Sequence, residues 1–202
     1  MGLFASLLSA SVIAAAPANP LPWFTFDDYP QKAFDREWRG TTNFEVLVAP
    51  DGSPAKCTIT KSSGYDVLDR TTCFGAMHRA RFTPARGPDG SPAYGIYRSQ
   101  VVWHRPDQES LQRDPGPDLE VTIAALPSGV RQPPAVKLAY FVDGNGNPSA
   151  CTPLPDSLAQ PKPLLDAACA QLFSRLQHSP PAASGANVPA VKTAAVLFSV
   201  PK

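Results

Sequence analysis

Charge of one sign is the first thing this chain lacks. Its 202 residues carry 18 Lys and Arg against 17 Asp and Glu, a formal net charge of +1. That balance gives no footprint for nucleic acid and none for a strongly charged substrate. Histidine is scarce, and His78, His104 and His178 are dispersed, so no metal and no cofactor are expected. The four cysteines form no Cys-x-x-Cys pair, which argues against a zinc ribbon and a thioredoxin-type site. No Gly-x-Ser-x-Gly elbow is present. Ser62, Ser63, Asp69 and His78 can be lined up on paper as a triad, but Ser62-Ser63-Gly64 has the composition of a plain loop, and no enzyme is expected. Proline is plentiful at 24, yet it is spread out and forms no low-complexity tract. A hydrophobic content of 43% suits a globular chain and is too high for a disordered one.

Charge is missing altogether from Met1 to Phe26. Within that stretch Leu3 to Ala16 is an apolar, small-residue run, and Ala14, Ala15, Ala16 and Ala18 offer small-x-small cleavage sites. The pattern predicts a secretory signal over residues 1–18, cut after Ala16 or Ala18. The departure is the absent Lys or Arg near the start, and the alternative is an uncleaved anchor in the inner membrane. The run falls short of the ~20 apolar residues of a spanning helix, and Pro17, Pro20 and Pro22 follow it at once.

What is present is a repeat. Val48, Asp51, Gly52, Pro54, Cys57 and Thr58 recur ninety-four positions on as Val142, Asn145, Gly146, Pro148, Cys151 and Thr152. Leu68, Cys73, Arg79 and Pro84 recur ninety-six positions on as Leu164, Cys169, Arg175 and Pro180. This predicts two tandem α+β domains, over residues 19–104 and 119–202, with a polar, Pro-rich linker over 105–118. Each is expected to be a roughly three-stranded antiparallel sheet with a helix packed across it. In an oxidising compartment the simplest pairing is one disulfide per repeat, Cys57–Cys73 and Cys151–Cys169, against the alternative of four buried thiols.

Local signals give the elements. Residues 30–38 form a short helix between Pro30 and Gly40. Residues 42–49 alternate, with Phe44, Val46 and Val48 on one face, and pair through the turn Pro50-Asp51-Gly52-Ser53 with a strand over 54–61. A helix follows over 66–81, with Leu68, Thr72, Ala76 and Ala80 in a stripe, Phe74 and Met77 in the core, and Arg79 and Arg81 at its cationic end. A strand over 94–103 closes the unit. In the second unit the strands are 119–126, 136–142, 148–152 and 190–199, and the helix is 164–177, stopped at Pro180.

In order along the chain stand Tyr29-Pro30, Pro50-Asp51-Gly52, Ser62-Ser63-Gly64, Leu68-Asp69, Arg79 to Ala85, Asp89-Gly90-Ser91-Pro92 and Val101-Val102-Trp103. With them residues 29–103 resemble the C-terminal domain of TonB, and the second unit resembles a divergent copy. The resemblance implies a binding module in the periplasm. TonB couples the inner-membrane proton-motive force to outer-membrane transporters, and its C-terminal domain adds a short extended segment of the transporter to a sheet edge. By position that edge is the last strand, with Ile96, Tyr97, Gln100, Val101 and Trp103 as peptide contacts, and Asp28 and Tyr29 beside them. The competing reading packs Trp103 into a core sheet. A full energy transducer also has a membrane anchor and a long Pro-rich spacer, and neither is visible here. Partners implied are an outer-membrane receptor or another envelope protein, or a second copy of the chain in a homodimer. The alternative function is a disulfide-stapled structural envelope protein that self-associates and has no transport role.

Overall fold

The computed structural model describes residues 11–18, 23–107, 116–128, 130, 134–177 and 188–201. The start of the signal run, His178, the Pro180 stop and most of the linker lie outside them. Among the described residues no helix is long and apolar enough to cross a membrane.

The order is β1 (Ala16–Pro17), α1 (Gln31–Asp35), β2 (Gly40–Val48), β3 (Pro54–Lys61), α2 (Asp66–Arg79), β4 (Phe82–Thr83), β5 (Ala85–Arg86), β6 (Pro92–Trp103), β7 (Leu119–Thr122), β8 (Ala135–Val142), β9 (Pro148–Pro153), α3 (Lys162–Gln177) and β10 (Ala190–Ser199). β2 alternates buried and half-buried along its length, because Phe44, Val46 and Val48 point to the core and Asn43, Glu45 and Leu47 do not. It turns into β3 through Gly52, whose φ is 84°. A Cβ there would collide with the Phe82 carbonyl, so both the backbone angle and the close approach demand glycine. Asp51 Oδ1 fixes the same turn by accepting from the Ser53 amide at 2.9 Å and its hydroxyl at 2.7 Å.

α2 buries Leu68, Thr72 and Ala76 fully, and Ala80 behind them. Phe74 corrects the sequence expectation: it is 59% exposed and stacks on His78 with ring centroids 4.1 Å apart. The stripe of the helix passes through its small residues, so the large one is left outside. α1 is shorter than the pattern suggests because Glu37 takes a left-handed φ of 55° and the Trp38 amide closes back on Ala33 O at 2.9 Å.

The strands of both repeats join in one sheet, in the order β3-β2-β6-β10-β8-β9. The join is brief and parallel: Tyr94 pairs with Ala190 and Gly95 with Val191. β2 pairs with β6 along its whole length, from Gly40 opposite Trp103 to Val48 opposite Gly95. β10 pairs antiparallel with β8 from Ala190 to Leu197, and parallel with β7 from Val196 to Ser199. One core cluster combines Phe44, Val46, Val48, Ala76, Phe82 and Ala85 with Ala139 and Val191 of the second repeat. A second gathers Val136, Leu138, Tyr140, Val196 and Phe198 against Leu164, Ala168 and Leu172 of α3. Alternate residues of β8 and β10 thus serve the two clusters, which puts α2 and α3 on opposite faces of the sheet.

Both disulfides join a helix to an edge strand. Cys57 of β3 bonds Cys73 of α2, with Cα atoms 5.5 Å apart, and Cys151 of β9 bonds Cys169 of α3, at 5.9 Å.

Candidate functional site

β6 has two different edges. One is filled by β2. The other meets β5 at Pro92 and Ala93 and β10 at Tyr94 and Gly95. From Ile96 to Trp103 that second edge has no strand partner among the described residues. β10 diverges from it there, leaving a cleft of about 610 Å³. Its walls include Arg98, Ser99 and Gln100 of β6 and Thr193 to Ala195 of β10.

Electrostatics closes one side of this cleft. Arg98 donates to Glu45 Oε1 at 2.7 Å and to Asp118 Oδ1 at 2.8 Å. Asp118 in turn accepts from the Ala195 amide at 2.8 Å through Oδ2, and its own amide donates to Ala195 O at 2.9 Å. Arg98 therefore ties β6 to the residue that caps the free stretch of β10. On the same wall, two residues along β6, Gln100 Oε1 is buried without a hydrogen-bond partner among the described residues. An unpaired buried acceptor costs free energy that an arriving N–H donor would recover.

The expected contact residues divide between the strand's two faces. Ile96 and Gln100 share the face of Arg98, away from α2. Tyr97 packs under the sheet against Trp23 and Phe82, with centroids 5.6 and 5.2 Å away. Val101 is partly buried among the same core groups. Trp103 is 4% exposed and its Nε1 donates to Thr72 Oγ1 at 3.1 Å. Tyr29 is 7% exposed and its hydroxyl donates to Trp38 O. Tyr29, Val101 and Trp103 do meet, around a crevice of about 160 Å³ floored by Phe24 and Phe26.

Asp28 is engaged inside the fold. Both its oxygens take Arg79 guanidinium nitrogens at 2.6 Å, and Oδ2 also accepts from the Thr25 amide at 2.8 Å. Hydrogen bonding from Arg79 outweighs partial burial and holds its carboxyl at about 2, against an ordinary 3.8. The folded value lies below the unfolded one. The stability it contributes is therefore present above about pH 4 and lost as pH falls through 2. Arg79 is 44% exposed, so solvent screens part of the pair. We expect Asp28→Asn to lower the melting temperature by about 2–4 °C at pH 7 and by only a small fraction of that at pH 2. Thermal scans across that range check it, and an equal loss at both ends would refute the linkage.

Asp69 explains the Ser-Ser-Gly loop. Its Oδ1 accepts from Thr42 Oγ1 at 2.8 Å, the Ser63 amide at 2.9 Å and Ser63 Oγ at 2.8 Å, and its Oδ2 from Ser62 Oγ at 2.5 Å. Burial works to raise its pKa, and the hydrogen bonds from Ser62, Ser63 and Thr42 win, leaving it below the ordinary value. The serines donate to the aspartate, while His78 binds Phe74 O on the exposed side of α2. The arrangement is a loop anchor and has no nucleophile–base pair. Sequence inspection had a signal for it, the Leu68-Asp69 pair after Ser62-Ser63. It had none for the orphaned Gln100 oxygen or for the Arg98–Asp118 tie, which depend on where β10 comes to rest. Among the described residues no three His, Cys, Asp or Glu gather as metal ligands would.

Comparison with known proteins now adds to this geometry. Residues 27–104 match the family described as Gram-negative bacterial TonB protein C-terminal. A stretch of 71 residues is 38% identical to Protein tonB2 of Pseudomonas aeruginosa. That stretch is 35% of this chain and 24% of the relative, so the likeness spans about a quarter of the relative's length. No solved structure matches the chain. The matched region runs from Asp27 to His104 and takes in α1, the β2–β3 hairpin, α2 and all of β6, so the unpaired β6 edge lies within the part of the chain that matches the TonB C-terminal family.

Proposed function

We propose that the chain is an exported, periplasmic binding module that captures an extended segment of an outer-membrane receptor, in TonB-dependent transport, by adding it to β6. The observation that carries this reading is the unpaired edge from Ile96 to Trp103, opening on the cleft beside β10. Strand addition supplies main-chain hydrogen bonds, and pockets along the edge supply selectivity. Gln100 offers its buried acceptor to the incoming segment, and Ile96 and Gln100 face it from the side away from α2. Tyr29, Tyr97 and Trp103 hold the strand in place from below, and Asp28 is tied to Arg79 of α2. Tandem TonB-like domains, the second divergent, account for the repeat.

A second reading has its own observation. β10 already pairs with this edge at Tyr94 and Gly95, so the edge accepts a strand of the chain itself. In a structural, self-associating envelope protein a further copy would fill the rest. Affinity recovery from an outer-membrane extract, with the protein as isolated from the periplasm, separates the two. Recovery of TonB-dependent receptors is expected, reduced about tenfold by Gln100→Leu, which removes the acceptor but not the fold. Recovery of no receptor, together with a tight dimer in solution, would refute the receptor reading.

A further inference from the structure

The segment ahead of Trp23 sits in a groove of its own, separate from the β6 edge. Residues 11–18 run extended along 81–86. Ile13 and Arg86 exchange both backbone hydrogen bonds, at 3.1 and 2.9 Å, and Ala18 N donates to Arg81 O at 2.8 Å. β1 pairs antiparallel with β4, Ala16 opposite Thr83 and Pro17 opposite Phe82. Val12 N donates to Thr152 Oγ1 at 3.0 Å, so the segment also reaches β9 of the second repeat.

Two of its side chains are inserted. Val12 is 2% exposed and Ala15 is 8% exposed, in the cluster that includes Ala85, Ala139 and Val191. Ala15 lies over Gly95, where a built Cβ would come within 2.8 Å of the Ala15 Cβ and 2.9 Å of the Ala85 Cβ. The floor is therefore made for a small residue in the inserted strand. Between the two anchors, Ile13 is 54% exposed and points out. The groove thus reads a peptide at two positions three apart, one branched and one small, and binds its backbone between them.

The sequence pattern predicts that this same stretch ends a secretory signal, with cleavage after Ala16 or Ala18. The groove and that expectation together carry an inference that rests on the export reading. We propose that the strip 81–86, with Gly95 and Thr152, is a second strand-addition site, which export cleavage empties and which then takes an extended apolar peptide with a small residue at the Ala15 position. Residues 12–17 show how such a peptide lies. Cleavage at either place removes Ile13, the main-chain partner of Arg86, and takes Val12 and Ala15 out of the cluster they share with Ala85, Ala139 and Val191. An added strand restores both the hydrogen bonds and the burial.

The test begins with the intact mass of protein isolated from the periplasm. A mature chain starting after Ala16 or Ala18 is expected. Retention of residues 11–18 would overturn the proposal, because the groove would then be permanently filled. The mature protein is next titrated by calorimetry with the synthetic peptide of residues 11–18, Ser-Val-Ile-Ala-Ala-Ala-Pro-Ala. Saturable binding with a Kd below about 1 mM is expected, because two anchors and a short backbone ladder suit weak affinity. In the peptide, Ala15→Phe and Val12→Asp should each weaken binding by about tenfold or more, through overlap with Gly95 and through burial of a charge. Because the changes are in the peptide, folding of the protein is untouched. No saturable binding, or equal binding of the Ala15→Phe peptide, would refute the site. Either result would leave receptor recovery through β6 to stand or fall separately.

Discussion

Replacing Cys57 and Cys73 together by serine should lower the stability of the whole chain by about 3 kcal/mol. The closed loop of 16 residues sets that figure, through the entropy returned to the unfolded chain. For a chain of this size it corresponds to a fall in melting temperature of about 6–12 °C. The companion change, Cys151 and Cys169 to serine, opens a loop of 18 residues, and the logarithmic dependence makes its expected cost nearly the same. The pair of experiments says more than either alone. Ala139 and Val191 lie in the same core cluster as Phe44, Val46 and Ala76, and β6 is hydrogen-bonded to β10. A shared core predicts one cooperative transition, moved equally by both changes. Two transitions, each moved by one change, would mean that the repeats melt as separate bodies and that the β6–β10 join is weak. Calorimetric scans in non-reducing buffer decide between them.

The join is also what the sequence conceals. β3 is legible to the residue, 54–61, because it follows an Asp-Gly turn and a strictly alternating partner. β10 is equally legible at 190–199 from its apolar run. α1 ends early because Glu37 adopts a left-handed angle that its composition does not announce. Phe74 lies half a turn from the stripe of Leu68, Thr72, Ala76 and Ala80, so the helical period itself puts it on the outer face, and only its large apolar ring suggests the core. The parallel contact of Tyr94 and Gly95 with Ala190 and Val191 has no local signature at all, since two residue pairs nearly a hundred positions apart carry no pattern. The candidate site inherits that limit. Its β6 wall follows from a resemblance carried position by position, whereas its β10 wall, the Arg98–Asp118 tie and the unpaired Gln100 oxygen exist because the second repeat docks there.

Trp103→Ala should be the most damaging single change, at about 4 kcal/mol. The ring stands at the end of β6, with Tyr29 and Phe24 at centroid distances of 5.9 and 6.2 Å. Its Nε1 donates to Thr72 Oγ1, and that hydroxyl donates to Leu68 O at 3.0 Å. Removing the ring leaves a cavity between α2 and the sheet and strips Thr72, which is fully buried, of its donor. The expected fall in melting temperature is about 8–16 °C. A loss of receptor binding in that variant would be uninformative, because a partly unfolded edge binds nothing. Trp103→Phe keeps most of the packing and removes the Nε1 hydrogen bond, at a cost of about 1–2 kcal/mol. Under the receptor-capture proposal, if Trp103 supports β6 from the core, Trp103→Phe should recover receptor within about twofold of the parent while melting a few degrees lower. If the indole itself touches the captured segment, recovery should fall well beyond that with little change in melting. The burial of the ring and its bond to Thr72 favour the first outcome, which would leave the face of β6 away from α2, around Ile96 and Gln100, as the surface that reads the proposed partner.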